Sequence, residues 1–107
     1  MQPQSRLGDQ SLVPADNHHK CPRCAHVCIG PAQTGSPDVI VNLRPALRVS
    51  DRGIHSHCCG PNTWVAVAGS QTVMINNLKA HRLGDLDMHC GGPGHMIEGS
   101  QNVLVGG

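Results

Sequence analysis

Short runs of β-branched residues broken by turn formers set the rhythm of this chain. Asp38 to Asn42 reads DVIVN between Gly35-Ser36-Pro37 and the asparagine, and predicts a short strand. Val73 to Asn76, VMIN, predicts a second, and Val103 to Val105, closed by Gly106-Gly107, a third. Asn76-Asn77 suits the left-handed backbone of a hairpin turn. After each turn a returning strand is expected over Ala46 to Val49 and over Ala80 to Leu83, so each unit predicts a β-hairpin. No window of ten residues keeps a 3.6-residue apolar period free of Gly and Pro, so helices are not expected. Gln10 to Thr34 reads as the longest irregular segment.

The strands belong to a repeat. Gly35 to Asp51 lies over Gly69 to Asp85 without a gap, with identities at Gly35/Gly69, Ser36/Ser70, Val39/Val73, Asn42/Asn76, Ala46/Ala80, Arg48/Arg82 and Asp51/Asp85. Gly99 to Gly107, GSQNVLVGG, repeats the front half, and Arg6 to Asp9, RLGD, supplies the back half from the other end. A third copy split between the termini predicts closure of the repeats on one another rather than an open stack. The whole of residues 1–107 is read as one domain.

Composition changes the picture in one respect. The chain has one Trp, no Phe, no Tyr, 13 Gly and 8 Pro, so aromatic packing cannot dominate its core and a second source of stability is expected. Net charge near +1 with scattered basic residues gives no support to nucleic-acid binding. The N-terminus lacks the layout of a signal peptide and no run approaches a membrane span, so synthesis in the cytoplasm and no stable membrane insertion are expected. Six cysteines in such a chain favour metal ligation over disulfides.

The candidate ligands follow the repeats. His55 and His89 each lie four residues beyond a repeat aspartate, in the segments RGIHSHCCGPNTW and LDMHCGGPGH, and are the leading candidates. His57 and Cys59 lie in the first of these, and Cys90 in the second. The early segment DNHHKCPRCAHVC adds His18, His19, Cys21, Cys24 and His26, with Cys21 and Cys24 at zinc-knuckle spacing. Imidazole and thiolate donors on three equivalent loops suit a tetrahedral zinc ion at one end of the body; one ion is expected, and the Cys-rich first loop leaves a second open. His81, inside a repeat, is expected to be solvated or satisfied by one hydrogen bond rather than to bind metal.

With RPALR and KAHR, each followed by Val/Leu-x-Asp, and with GS-x-x-V-x-x-N, the chain resembles the PAAR-repeat family over nearly its whole length. The resemblance implies a small all-β, conical, pseudo-three-fold structure of three hairpin repeats with long loops and zinc near the apex. It also implies a non-enzymatic tip that caps and sharpens the trimeric VgrG-like spike of type VI secretion systems or contractile phage tails for membrane penetration and effector delivery, and that is exported with that spike. Larger family members carry fused toxin domains; here the third repeat ends at Gly107, so any effector is expected to be a separate chain. The ligand set it implies is three His and one Cys: His55, His89 and one of His18, His19 and His26, with Cys90, Cys59 or one of Cys21 and Cys24; His26 and Cys90 complete the preferred set. Spike contacts are expected at Val39, Val41, Val73, Ile75, Val103 and Val105. The rival reading from the Cys21/Cys24 knuckle is a small zinc-binding adaptor, whose expected basic face and stacking aromatics are missing from the sequence.

Overall fold

Three turns of the same construction organise the backbone. In Arg6–Asp9, Arg48–Asp51 and Arg82–Asp85 the aspartate N–H donates to the arginine carbonyl at 2.9, 3.0 and 3.0 Å. The third residue sits at φ of +90°, +87° and +89° in Gly8, Ser50 and Gly84, the left-handed value that a type II turn demands at this position. Each aspartate Oδ2 accepts the arginine backbone N–H at 2.8 Å and its Nε–H at 2.8–3.0 Å, and each Oδ1 accepts an Nη2–H at 3.0 Å. These bidentate, charge-assisted bonds lock the turn from both sides. At Arg48 the Asp51 hydrogen bond raises the guanidinium pKa above its ordinary value.

The computed structural model describes residues 2–16, 26–55, 63–89 and 92–106, with no helix among them. The strands are β1 (Gln2–Pro3), β2 (Gln10–Asp16), β3 (His26–Pro31), β4 (Ile40–Val41), β5 (Arg44–Pro45), β6 (Arg52–Ile54), β7 (Thr63–Ala66), β8 (Met74–Ile75), β9 (Leu78–Lys79), β10 (Leu86–His89), β11 (Gly92–Met96) and β12 (Leu104–Val105). The fold is all-β, as the composition and the missing helical period require.

The repeats form two-residue ladders. β4 pairs with β5 around Asn42-Leu43, and β8 with β9 around Asn76-Asn77, all four turn residues having positive φ. β1 pairs with β12, so the third ladder joins the two ends of the chain, as the split repeat predicts. The returning strands lie earlier than expected, at Arg44–Pro45 and Leu78–Lys79 rather than over Ala46 to Val49 and Ala80 to Leu83, because Ala46, Arg48, Ala80 and Arg82 turn away to make single bridges to neighbouring copies. Those bridges are Arg6 with Ala46, Arg48 with Ala80, and Gln4 with Arg82. At their centre Leu47 N–H donates to Ser5 O, His81 N–H to Leu47 O, and Ser5 N–H to His81 O, at 3.0, 3.1 and 3.1 Å. This ring of hydrogen bonds closes on itself through three fully buried residues.

Beyond each Arg–Asp turn the chain continues into a longer hairpin, and this corrects the sequence reading. The segments expected to be irregular or loop-like, Gln10 to Thr34 and the two stretches after Asp51 and Asp85, carry β2–β3, β6–β7 and β10–β11. Together they form one antiparallel sheet in the order β3-β2-β11-β10-β7-β6. It is nearly closed: Ala32 bridges Gly53, and Gln33 and Thr34 N–H both donate to Arg52 O, at 2.8 and 3.2 Å. Alternation along these strands was hidden by His, Cys, Gly and Pro, which carry little strand signal.

The core has two parts. Ala32, Leu47, Trp64, Ala66 and Met96 pack inside the six-stranded sheet. Val41, Ala46, Ile75, Ala80 and Val105 pack beneath the short ladders, with Val103 against them. Of the residues expected at the spike, Val41, Ile75 and Val105 face the core, while the outward positions are their neighbours Ile40, Met74 and Leu104. Val39 and Val73 are each 37% exposed. With a period of two, one face of each ladder must be buried, and the ring hydrogen bonds choose which.

Candidate metal centre

His55 and His89 are brought together by equal counting along equivalent strands. From Asp51 the chain alternates Arg52 out, Gly53 in, Ile54 out, and His55 follows inward; from Asp85 it runs Leu86 out, Asp87 in, Met88 out, His89 in. Four residues beyond the turn is therefore an inward position at one height in both strands. The two imidazoles are 5% and 3% exposed, with ring centroids 5.0 Å apart and planes at 69°. The corresponding residue beyond Asp9 is Val13, fully buried. Two of the three equivalent positions thus carry imidazole and the third an aliphatic side chain.

The surroundings hold the rings in place. Ser11 Oγ lies 2.8 Å from His89 Nε2 and 3.3 Å from His95 O. The serine hydroxyl has one proton; given to the His95 carbonyl, it leaves Oγ to accept from Nε2–H, which puts the His89 lone pair on Nδ1. Trp64 lies tilted against His89 at 6.0 Å between centroids, and its Nε1–H donates to Ile54 O at 2.9 Å. Glycine makes the room. A Cβ at Gly94 would stand 2.7 Å from His89 Nε2, and one at Gly30 would stand 2.3 Å from His55 Cα. Neither position can hold a side chain without moving an imidazole or its backbone.

The pair passes a simple fit test for a shared tetrahedral ion. With metal–nitrogen bonds of about 2.1 Å and about 1.1 Å more to each ring centre, two ligands at the tetrahedral angle have centroids about 5.2 Å apart. The observed 5.0 Å agrees. A neutral imidazole whose second nitrogen is held by a hydrogen-bonding group is the usual orientation of a metal-bound histidine, and Ser11 supplies that group.

Among the described residues no three His, Cys, Asp or Glu side chains form a group able to hold an ion. The other predicted ligands His18, His19, Cys21, Cys24, His57, Cys59 and Cys90 lie outside the described residues, and His26 is described only in its backbone, at the start of β3. The ends of β2, β6 and β10, all running one way, stand at the same end of the sheet as His55 and His89. His95 is exposed on the outer side of β11 and does not join the pair.

Two interior residues went unassigned in the sequence. Cys28, 1% exposed, faces inward opposite Val13; the alternation in His26-Val27-Cys28-Ile29 was the available signal. Asp87, fully buried, lies 2.6 Å from Nε2 of fully buried His81, whose Nδ1 contacts Ala68 O at 2.6 Å. His81 is therefore held by the one hydrogen bond from Nδ1 and stands in the core with Nε2 against Asp87.

No protein-family model matches this chain, and no curated protein matches it.

Proposed function

We propose that this chain is a PAAR-like spike tip: a pseudo-three-fold cone, stapled by zinc near its apex, that caps a trimeric VgrG-like spike of a contractile injection apparatus and takes no catalytic part. The observation that carries this reading is the closed ring of hydrogen bonds among Ser5, Leu47 and His81, one residue from each repeat copy. A single chain whose three copies contact one another cyclically has the symmetry to sit on a true three-fold partner. The similar transverse extents of 23 and 22 Å, against a length of 40 Å, support the same reading.

In this reading the three short ladders form the broad end. Their outward residues Ile40, Met74 and Leu104, each a little over half exposed, meet the blunt end of the spike. His55 and His89 provide two zinc ligands inside the narrow end. The third imidazole comes from His26, His18 or His19, and the thiolate from Cys90, Cys59, Cys21 or Cys24. A structural zinc contributes about 10 kcal/mol or more to small domains, which would add to the small core of Ala32, Leu47, Trp64, Ala66 and Met96 inside the same sheet. Export accompanies the spike.

Mixing the purified protein with trimeric VgrG-like spikes and weighing the complexes by native mass spectrometry tests the proposal. One monomer per trimer is expected, with a zinc ion in each monomer. Failure to bind any cognate spike refutes the reading, and a zinc-loaded monomer that instead captures a nucleic acid or an unrelated protein favours the adaptor.

A further inference from the structure

We propose that two copies of this chain pair broad end to broad end through the open edges of β4, β8 and β12, in a transient dimer that covers these edges until a spike takes its place. Each of the three strands has one partner strand among the described residues: β5, β9 and β1. On that side Ala46, Ala80 and Gln4 N–H donate to Val39, Val73 and Val103 O at 2.9, 3.0 and 2.9 Å. Successive residues of a strand point their N–H and C=O groups to opposite sides. Ile40, Met74 and Leu104, the next residues along, therefore aim both groups away from the partner strand, where neither meets a hydrogen-bonding group among the described residues. Pro45 and Pro3, which stand opposite Ile40 and Leu104, have no N–H to give them. The core also runs out at this end: Val41, Ile75 and Val105 keep 7–8% exposure, whereas Ala46 and Ala80 of the same cluster are fully buried.

Strand direction names the occupant. Arg48 bridges Ala80, Arg82 bridges Gln4 and Arg6 bridges Ala46, the same relation three times, so β4, β8 and β12 follow one another round the ring in one rotational sense. A two-fold axis lying across the broad end reverses that sense, and a second copy placed by it brings an antiparallel strand to all three edges at once. One strand then meets its own copy on the axis, and the other two exchange partners. Each pair of opposed edge residues exchanges two N–H···O bonds, as hydrogen-bonded pairs of antiparallel strands do. Uncovered strand edges are templates for aggregation, so a closed dimer also removes a hazard. Transverse extents of 23 and 22 Å bound the broad end at about 400 Å², so the dimer buries about 800 Å², below the ~1,200 Å² of a stable complex. The pairing is therefore weak, as a cover that gives way to a spike must be. That displacement rests on the spike-tip reading; the self-pairing does not.

The zinc-loaded full chain, without a spike, is sedimented to equilibrium over a dilution series from about 1 mM to about 1 μM. A monomer–dimer equilibrium is expected, and amide exchange followed by NMR should slow at Ile40, Met74 and Leu104 as concentration rises. Met74→Lys/Leu104→Lys sets lysine opposite lysine in each of the three pairings the ring allows, and should raise the dissociation constant about tenfold with an unchanged Tm. Leu43→Asn, which copies Asn77 of the sister turn and removes a 95% exposed leucine away from the edge, should leave the dimer as it is. A chain that stays monomeric throughout the series overturns the proposal. So does a dimer whose three edge amides exchange at the monomer rate, or one that Leu43→Asn dissolves and the lysine variant keeps, which would assign association to the turn side chain. Adding a trimeric VgrG-like spike should convert the dimer into complexes of one monomer per trimer. Dimerisation with no spike captured removes the spike-tip reading and leaves this proposal standing, whereas spike capture by a chain that never dimerises does the reverse.

Discussion

The buried pair of His81 and Asp87 can be taken apart using replacements that the chain itself supplies. Counting from the three turns, His81 corresponds to Leu47 and Ser5, and Asp87 to Gly53 and Ser11. Equivalent inward sites thus hold an ionisable pair, a leucine with a glycine, and two serines. In the native pair His81 Nδ1–H donates to Ala68 O, and Nε2 lies 2.6 Å from Asp87 Oδ1. Neither Asp87 oxygen accepts a hydrogen bond among the described residues, so the imidazole is the group the carboxyl faces. His81→Leu alone strands that carboxyl group in the core, and breaking a buried pair from one side costs about 3–5 kcal/mol. Asp87→Gly alone leaves the imidazole nitrogen unmatched, at about 1–3 kcal/mol. The double variant reproduces the Leu47/Gly53 combination and is expected within about 1 kcal/mol of wild type, since apolar replacement of a whole buried pair is often neutral or better. In thermal unfolding at fixed zinc, about 4 °C or more per kcal/mol for a domain of this size puts the His81→Leu Tm about 12 °C or more below wild type, with recovery in the double variant. A His81→Leu loss under about 1 kcal/mol, or additive losses in the double variant, would refute the account of the pair as mutually dependent.

Three further outcomes are expected. Ser50→Gly, which places glycine at φ +87° as in the sister turns, should stabilise by about 0.5–1 kcal/mol, read from the urea midpoint at unchanged m-value. His89→Ala and His55→Ala should each lower bound zinc by elemental analysis and bring the Tm close to that of chelator-stripped wild type; full zinc occupancy in both variants would remove the pair from the metal site. Gly94→Ala replaces no candidate ligand, yet its new methyl falls on His89 and on Leu12 O, 2.4 Å away, so it should reduce zinc affinity as a ligand variant does, while Gly99→Ala, set against Pro3, should leave zinc affinity unchanged.

The repeat, the all-β character and the partnership of His55 with His89 were legible in the sequence because each is a matter of counting. Equal spacing from a recurring turn yields equal height and equal facing on a strand of period two, whatever the sheet does later. The Arg–Asp turns were visible for the same reason: they are local, and their hydrogen bonds span three residues. The longer hairpins were not visible. Their inward positions mix Val13, Trp64, Ala66 and Met96 with His, Gly, Ser, Asp and Cys, and the polar ones are tolerated because the sheet curls around them and supplies neighbours such as Ser11 for His89 and His81 for Asp87.

Facing of the short ladders was likewise beyond the sequence. Val39, Ile40 and Val41 are alike as letters, and only the ring through Ser5, Leu47 and His81 turns Val41 inward and Ile40 outward. The sequence by itself determined the units, their number and the offset of the two imidazoles, because local turn chemistry and strand period act within a few residues. The tertiary structure alone decided which residues close the ring and that His55, Asp87 and His89 stand inside the sheet beside Trp64 and Met96 while Ile54 and Met88 face out, because those choices depend on hydrogen bonds between residues tens of positions apart.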